Sequence, residues 1–178
     1  MSGHDPLLLE RAARVELLVL DVDGVLTDGR LYFDNAGNEL KAFSTADGLG
    51  LKLLQRLGIT LAVITGRSSR IVADRAAHLG IEHVYQGQDD KLSAYLDLLA
   101  RTGGDDETTC YAGDDWIDLP LLTRVGLAVT VPKADAEVKA RSHWITPSGG
   151  GEGAVRELCN LIIDARGARE TLLEGFLA

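Results

Sequence analysis

Short apolar runs alternate along this chain with stretches in which apolar residues recur at helical spacing. The apolar runs are continuous, which is typical of strands that are covered on both faces. They predict six strands, at residues 16–20, 59–64, 81–85, 108–111, 127–131 and 144–146.

The stretches between these runs carry the marks of helices. Apolar side chains recur at three- and four-residue intervals, serines stand at one candidate N-cap, and glycines follow the last turns. The predicted helices cover residues 47–58, 68–80, 91–103 and 153–167. Strands and helices in alternation predict an α/β fold, a Rossmann-like parallel sheet with helices on both faces and right-handed crossovers.

One segment interrupts the alternation. "RLYFDNAGNELKAF", residues 30–43, has two strand-like ends around the turn "DNAGN" and predicts a β-hairpin inserted after the first strand. At 178 residues the chain is within the range of one domain. We expect that domain at residues 15–167, with an N-terminal segment at 1–14 and an amphipathic tail at 168–178.

Composition and charge narrow the classes of function. The chain has 46% hydrophobic residues and a net charge of −9, which argues against a nucleic-acid-binding face and against an anionic membrane surface. No apolar run approaches the ~20 residues of a membrane span, and the N-terminal stretch lacks the pattern of a signal peptide. Cys110 and Cys159 stand outside any metal-binding spacing, so we expect buried thiols in a cytoplasmic protein.

Polar and ionic residues follow the first four predicted strands at their carboxyl ends. In open α/β sheets, ligands bind outside those ends, so we expect these side chains to meet. They are Asp21 and Asp23 after the first strand, Thr65, Gly66 and Arg67 after the second, Lys91 after the third, and Asp114, Asp115 and Asp118 after the fourth.

The acids and the lysine suit a metal and a phosphoryl group. Asp21, Asp114 and Asp115 offer the hard oxygen ligands that Mg²⁺ prefers, together with waters and phosphate oxygens. The backbone carbonyl of Asp23 is a further candidate ligand. Mg²⁺ and Lys91 would neutralise the charge that a phosphate ester presents to a nucleophile.

The same residues could carry out phosphoryl transfer. Asp21 could attack phosphorus and form an aspartyl-phosphate, and Asp23 could protonate the leaving oxygen and later deprotonate water. The Thr65 hydroxyl and the backbone N–H groups of Gly66 and Arg67 could donate to phosphoryl oxygens.

Structural roles are the alternative for several of these residues. Asp21 and Asp23 could be turn acids, and Asp118 could either orient Lys91 or cap the helix that follows. Asp28 is expected to be a turn residue before the hairpin. A lysine at a helix N-terminus is unfavourable by the helix dipole, which favours a functional reading of Lys91.

The four motifs "DVDGVLTDG", "ITGR", Lys91 and "GDDWID", in this order, resemble those of the haloacid dehalogenase superfamily of phosphatases. Residues 15–167 are closer still to its 3-deoxy-D-manno-octulosonate 8-phosphate phosphatases, in "HVYQGQDDK" and "GGGEGAVRELCNLI" among others. The resemblance implies a Mg²⁺-dependent phosphatase without a cap domain, assembled as a homotetramer. It also implies a sugar acid phosphate as substrate and a place in lipopolysaccharide precursor synthesis.

The resemblance also implies a substrate site. The family's substrate loop matches "STADG", which is Ser44, Thr45, Ala46, Asp47 and Gly48. Lys91 and three further cations could bind the carboxylate of the substrate, namely Lys52, Arg67 and Arg75. Many relatives carry basic residues where this chain has Ala46 and Glu152, and both departures remove positive charge from the implied anion site.

Two other functions remain as alternatives. One is a phosphatase for another ulosonate phosphate, such as a nine-carbon 9-phosphate. The other is a non-enzymatic phospho-receiver, which also forms an aspartyl-phosphate at the edge of a parallel sheet. A receiver carries its phosphoacceptor on the third strand, whereas the third predicted strand of this chain ends without an acid. A receiver also lacks the pair that Asp21 and Asp23 form here.

Overall fold

The computed structural model describes residues 3–177, so residues 1 and 2 of the predicted N-terminal segment and residue 178 of the predicted tail lie outside it. Six strands form one sheet, namely β1 Leu17–Leu20, β4 Thr60–Ile64, β5 His83–Tyr85, β6 Thr109–Ala112, β7 Leu127–Thr130 and β8 Trp144–Ile145. Two short strands, β2 Tyr32–Phe33 and β3 Glu39–Leu40, form the hairpin. The helices are α1 Pro6–Ala13, α2 Thr45–Arg56, α3 Arg70–Leu79, α4 Lys91–Thr102, α5 Leu119–Leu122, α6 Ala136–Lys139, α7 Ala154–Ala165 and α8 Arg169–Leu177.

The main sheet is parallel throughout, with the strand order β5-β4-β1-β6-β7-β8. Strand β1 lies in the middle, and Leu20 pairs with Val63 on one side and Ala112 on the other. The three strands that precede the acids and Thr65 are therefore neighbours. Their carboxyl ends deliver the predicted functional residues to one edge of the sheet.

Alternate side chains of β1 enter two different cores. Leu18 and Leu20 pack in one core with residues of α1, α2, α3 and α7, whereas Leu17 and Val19 pack in the other with residues of α4 and α5. All four β1 side chains are buried. This confirms the α/β fold with helices on both faces that the continuous apolar runs predict.

The six predicted strands and four predicted helices are all present, with boundaries that differ by a few residues. The inserted hairpin also forms where it was predicted. Its turn is closed by Asp34, whose Oδ1 accepts the backbone N–H groups of Ala36 and Asn38 at 2.8 Å each. Gly37 supplies the left-handed backbone that the turn needs, with φ +83°.

Two helices lie outside the predicted domain core. Helix α1 has Asp5 as its N-cap and Pro6 in its first turn, and it packs on α7 and β7 with Leu8 and Ala12 buried. The tail forms α8, which has no buried residue within its described length. Among residues 3–177, no helix combines the length and apolar character that crossing a membrane requires.

Candidate active site

A buried ion-pair cluster lies at the carboxyl end of β1. The Nζ of Lys91 is 2.9 Å from Asp21 Oδ1 and 2.6 Å from Asp118 Oδ1. Tyr111 donates its hydroxyl to the same Asp118 oxygen at 2.5 Å. The side chains of Lys91, Asp21 and Asp118 are at most 8% exposed, so the charges face one another with little screening by water.

Asp118 is saturated with hydrogen bonds. While its Oδ1 accepts from Lys91 and Tyr111, its Oδ2 accepts the backbone N–H groups of Asp114 and Asp115 at 2.9 and 3.1 Å. It therefore both orients Lys91 and organises the loop after β6. Of the two roles that the sequence left open, the geometry includes the orientation of Lys91, whereas the Asp118 side chain makes no cap hydrogen bond to α5, the helix that follows.

Three carboxylates converge at this cluster. Oxygens of Asp21, Asp114 and Asp118 all lie within 4.8 Å of one another. Asp115, predicted to join them, is exposed, and its Oδ1 accepts the N–H of Trp116 at 2.7 Å at the start of a 3-10 turn, Trp116–Asp118. The acid that completes the group of three is therefore Asp118, because the turn brings it back under the strand ends.

Burial makes the acidic cluster costly without a cation. Burial, with Asp118 adding to it and Lys91 opposing it, raises the pKa of Asp21 to about 6. Burial and repulsion from Asp21 and Asp118 raise the pKa of Asp114 to about 7. For Lys91, burial alone would lower the pKa, but the carboxylates of Asp21 and Asp118 outweigh it and raise the value.

The donor set fits a divalent cation. Asp118 has its oxygens engaged by four donors, so Asp21 and Asp114 are the acids with capacity for a metal. A cation between them would also relieve the repulsion that raises their pKa values. Gly24 leaves the space for Asp114, since a Cβ at Gly24 would lie 2.0 Å from Asp114 Oδ2.

Asp23 lies in a different environment from Asp21. Its Oδ1 is 2.5 Å from Lys41 Nζ, and its Oδ2 is 3.6 Å from Arg67 Nε. The side chain is 21% exposed, against 8% for Asp21. Two carboxylates that stand two residues apart thus have distinct partners, as separate tasks would require.

The loop after β4 brings the predicted phosphate-binding residues to the same edge. Thr65 is buried, its N–H donates to Tyr85 O at 2.9 Å, and its carbonyl accepts from Gln88 N at 3.0 Å. A Cβ at Gly66 would lie 3.6 Å from Ile117 Cδ1, which is an ordinary van der Waals distance. Arg67 reaches Asp23 as described, so this loop and the loop after β1 are in contact through side chains.

The predicted substrate loop divides into two parts. Ser44 caps α2, accepting the N–H of Asp47 at 3.3 Å, and Thr45 and Ala46 are exposed. Asp47 is 1% exposed and accepts the N–H of Arg156 at 2.7 Å. The structure thus gives Asp47 a structural role at the start of α7, and its contact with substrate stays a prediction.

The two remaining predicted cations, Arg75 and Lys52, make no hydrogen bond or ion pair with the acidic cluster among the described residues. Arg75 donates to Ser44 O at 3.3 Å and stacks over Phe43 at 5.7 Å, and its guanidinium fills the space beside Gly48. Lys52 lies on the exposed face of α2. For Arg75 the half-buried packing between α3 and α2 explains its placement without a substrate.

Two features of the site were not predicted. Lys41 follows β3 and pairs with Asp23, although 18 positions separate them in the chain. The glycine run before α7 packs on the loop after β1, where Gly151 N donates to Val25 O at 3.1 Å and a Cβ at Gly150 would lie 1.8 Å from Gly24 O. Asp28 accepts from Arg30 N and the Tyr32 hydroxyl, so it is the turn acid expected before the hairpin.

Comparisons with known proteins agree with this geometry. A family model described as haloacid dehalogenase-like hydrolase matches residues 78–158. The 3-deoxy-D-manno-octulosonate 8-phosphate phosphatase KdsC of Yersinia pestis is 48% identical over 159 residues, which cover 89% of this chain and 85% of that protein.

Solved structures have the same fold. One is the 3-deoxy-D-manno-octulosonate 8-phosphate phosphatase of Moraxella catarrhalis in complex with a magnesium ion, a phosphate ion and a KDO molecule. It is 42% identical, with a TM-score of 0.94 over 97% of this chain and 99% of that one. The cobalt-bound form of the deoxy-D-mannose-octulosonate 8-phosphate phosphatase of Haemophilus influenzae is 38% identical, with a TM-score of 0.89 over 94% of this chain and 99% of that one. This chain therefore belongs to the 3-deoxy-D-manno-octulosonate 8-phosphate phosphatase family of the haloacid dehalogenase-like hydrolases.

Proposed function

We propose that this chain is a Mg²⁺-dependent phosphatase that hydrolyses 3-deoxy-D-manno-octulosonate 8-phosphate to 3-deoxy-D-manno-octulosonate and phosphate. The observation that carries the proposal is the buried cluster of Asp21, Lys91 and Asp118 beside Asp114, in a chain 48% identical to a phosphatase of that name. The bound magnesium, phosphate and KDO of a relative with a TM-score of 0.94 support the choice of metal and substrate class.

In the first half of the reaction, Asp21 is the nucleophile. Its carboxylate oxygen forms a bond to phosphorus as the bond between phosphorus and the sugar oxygen breaks, and Asp23 gives its proton to that oxygen. Lys91, 2.9 Å from Asp21, keeps the nucleophile ionised and lies where it can offset charge on the phosphoryl oxygens. Thr65 and the backbone N–H groups of Gly66 and Arg67 donate to those oxygens.

In the second half, Asp23 acts as a base. It takes a proton from water, whose oxygen attacks the phosphorus of the aspartyl-phosphate, and phosphate leaves with the bond to Asp21 broken. Asp118 holds Lys91 in place through its 2.6 Å contact during both halves.

We assign Mg²⁺ to Asp21, Asp114 and the backbone carbonyl of Asp23. Asp115 is a further candidate ligand, because it follows Asp114 in the loop after β6. When bound, the ion supplies charge neutralisation and alignment for the phosphate group. The charge of the bound ion would lower the pKa values of Asp21 and Asp114 and so leave both acids ionised at neutral pH.

The sugar acid end of the substrate is assigned to the exposed part of the predicted loop and to nearby cations. Thr45, Ala46 and Arg67 are exposed enough to reach a ligand. We also assign Ser44, Lys52 and Arg75 to this end of the substrate, and the buried Asp47 and Gly48 to the loop that presents it. Glu152, which pairs with Lys133 at 3.7 Å, brings a negative charge to the same end of the sheet.

A substrate panel tests this function. We expect kcat/KM with Mg²⁺ to be highest for octulosonate 8-phosphate among sugar phosphates, including a nine-carbon ulosonate 9-phosphate and hexose phosphates. A higher value for the nine-carbon ester would assign the site to that substrate. Absence of turnover on every phosphate ester, with a stable acyl-phosphate on the protein, would favour the receiver.

We also propose a homotetramer, working in the cytoplasm in lipopolysaccharide precursor synthesis. The hairpin exposes Leu31, Tyr32, Phe33 and Leu40, with fractions of 39–60%, which is an apolar face that another subunit could cover. Light scattering should give the mass of four chains for the native protein and a smaller mass for Phe33→Asp. A monomeric native protein would contradict the assembly.

A further inference from the structure

The inserted hairpin ends in a buried lysine. Lys41 follows β3 directly, and its side chain is 1% exposed although the hairpin itself lies on the surface. A lysine side chain is rarely buried unless a carboxylate pairs with it. Here two do: Asp23 Oδ1 at 2.5 Å and Glu39 Oε1 at 3.4 Å.

Glu39 ties the hairpin to the loop after β4. Its Oε2 accepts the Ser69 hydroxyl at 2.8 Å, and its Oε1 lies 3.0 Å from Arg67 Nη2. The hydrogen bond from Ser69, with Lys41 and Arg67 adding to it, lowers the pKa of Glu39 below its usual value. Glu39 therefore stays charged and links Lys41 to the start of α3.

The two oxygens of Asp23 are thus unequal. Oδ1 is fixed by the Lys41 ammonium, whereas Oδ2 has only the longer contact of 3.6 Å to Arg67 Nε. A carboxyl group that must pass a proton to a leaving group needs one oxygen held and the other accessible. The Lys41 contact meets the first condition and leaves the second oxygen for the proton.

We propose that Lys41 is a positioning residue, which holds Asp23 in the orientation for general acid catalysis when the hairpin is docked. The inference rests on the proposed phosphatase function and on the role of Asp23 in it. Lys41 acts through Asp23, with Glu39, Ser69 and Arg67 holding the hairpin in place. The hairpin is then part of the catalytic apparatus of its own subunit as well as an apolar surface.

The test uses leaving groups that differ in their need for a proton. The Lys41→Met and Asp23→Asn variants are assayed with Mg²⁺ on octulosonate 8-phosphate, glycerol 3-phosphate and p-nitrophenyl phosphate. The value of kcat/KM reports the steps up to release of the alcohol, and p-nitrophenolate leaves without protonation. For Lys41→Met we expect a loss of about 10–10²-fold on both alkyl esters and less than about 3-fold on the aryl ester, within the range of general acid catalysis.

Further variants separate positioning from folding. Lys41→Arg should recover most of the loss, Glu39→Gln should show a smaller loss with the same selectivity, and Lys139→Met, a lysine on α6, should match the native protein. The double variant Lys41→Met/Asp23→Asn should lose no more than Asp23→Asn alone, because both changes act on one group.

Three results would overturn the inference. An equal loss on all three esters would make Lys41 structural, a loss confined to octulosonate 8-phosphate would make it a substrate ligand, and unchanged kcat/KM would give it no part. Failure of the proposed function looks different, because the native protein would then not hydrolyse octulosonate 8-phosphate while the comparison of the other two esters still stands.

Discussion

At the scale of single residues, the site depends on carboxylates in unlike surroundings. Asp21 is buried and faces Lys91, whereas Asp23 is one-fifth exposed and faces Lys41. The pKa of Asp114 is raised to about 7, above the value of about 6 for Asp21, because burial and neighbouring acids both oppose its ionisation. Such a group binds a cation in exchange for a proton, so its position relative to Gly24 matters to the metal site.

Replacing Gly24 with alanine tests this dependence. The new Cβ would lie 2.0 Å from Asp114 Oδ2, at a backbone φ of +92°. Gly58 is a matched control, since its φ is +79° and a Cβ there meets nothing within 4 Å. Both variants should lose roughly 1–2 kcal/mol of stability from the left-handed backbone.

Only Gly24→Ala should also lose Mg²⁺ affinity, because only there must Asp114 move. Calorimetric titration with Mg²⁺ measures this difference. Equal affinities in Gly24→Ala and Gly58→Ala would show that the position of Asp114 does not control metal binding.

At the scale of helices and strands, the sequence predicts what local pattern controls. Continuous apolar runs mark the six strands of the sheet, and glycines such as Gly80 and Gly103 end helices in left-handed conformations. Helix α1 was missed because it is eight residues long and buries only Leu8 and Ala12. The pairing of Lys41 with Asp23 could not be predicted, because it depends on how the hairpin folds back over the strand end.

The roles of single residues in the site were also harder to predict, because they depend on how segments fold back on one another. Asp118 and Asp115 look alike in "GDDWID", and only the 3-10 turn decides that Asp118 points inward. Asp47 was expected in the substrate loop, and its burial by contacts between α2 and α7 was not predicted. Its partner, Arg156, is 109 positions away.

Asp47 should stabilise α7 at its N-terminus. The N-cap residue Gly153 has no side chain to accept the first N–H groups, and Asp47 accepts the one from Arg156. Asp47→Ala should therefore lower the free energy of unfolding by about 1–2 kcal/mol. Asp47→Asn keeps a hydrogen-bond acceptor and removes the buried carboxylate. Because burial raises the pKa of the Asp47 carboxyl group, its charged form is disfavoured, and Asp47→Asn should leave the free energy of unfolding unchanged or raise it at neutral pH.

Urea unfolding of both variants measures these effects. Equal destabilisation by Asp47→Asn and Asp47→Ala would show that the charge, not the hydrogen bond, is what matters. A large rise in KM for Asp47→Asn at unchanged stability would return this residue to the substrate site.

At the scale of the whole molecule, protons and metal compete for the same acids. The folded pKa values of about 6 for Asp21 and about 7 for Asp114 are above the ordinary value of 3.8. Without metal, these two acids thus bind more protons in the folded protein than in the unfolded chain between about pH 4 and 7, and their contribution to stability falls as pH rises through that window. A divalent cation at the site opposes this loss.

We therefore expect Mg²⁺ to raise Tm more at about pH 8 than at about pH 5. Differential scanning calorimetry with and without Mg²⁺ at both pH values measures the increments. In Asp114→Asn the increment at the higher pH should largely disappear. An increment that is independent of pH would mean that the metal does not displace protons from these acids.

The most direct test of the proposed mechanism is phosphate release from octulosonate 8-phosphate by the native protein and by Asp21→Asn, with Mg²⁺ present. The substitution preserves the size of the side chain and removes the nucleophilic oxygen anion beside Lys91. We predict turnover by the native protein and a loss of kcat on the order of 10⁴-fold or more in the variant. Turnover by Asp21→Asn within about tenfold of the native rate would contradict an aspartyl-phosphate mechanism at this site.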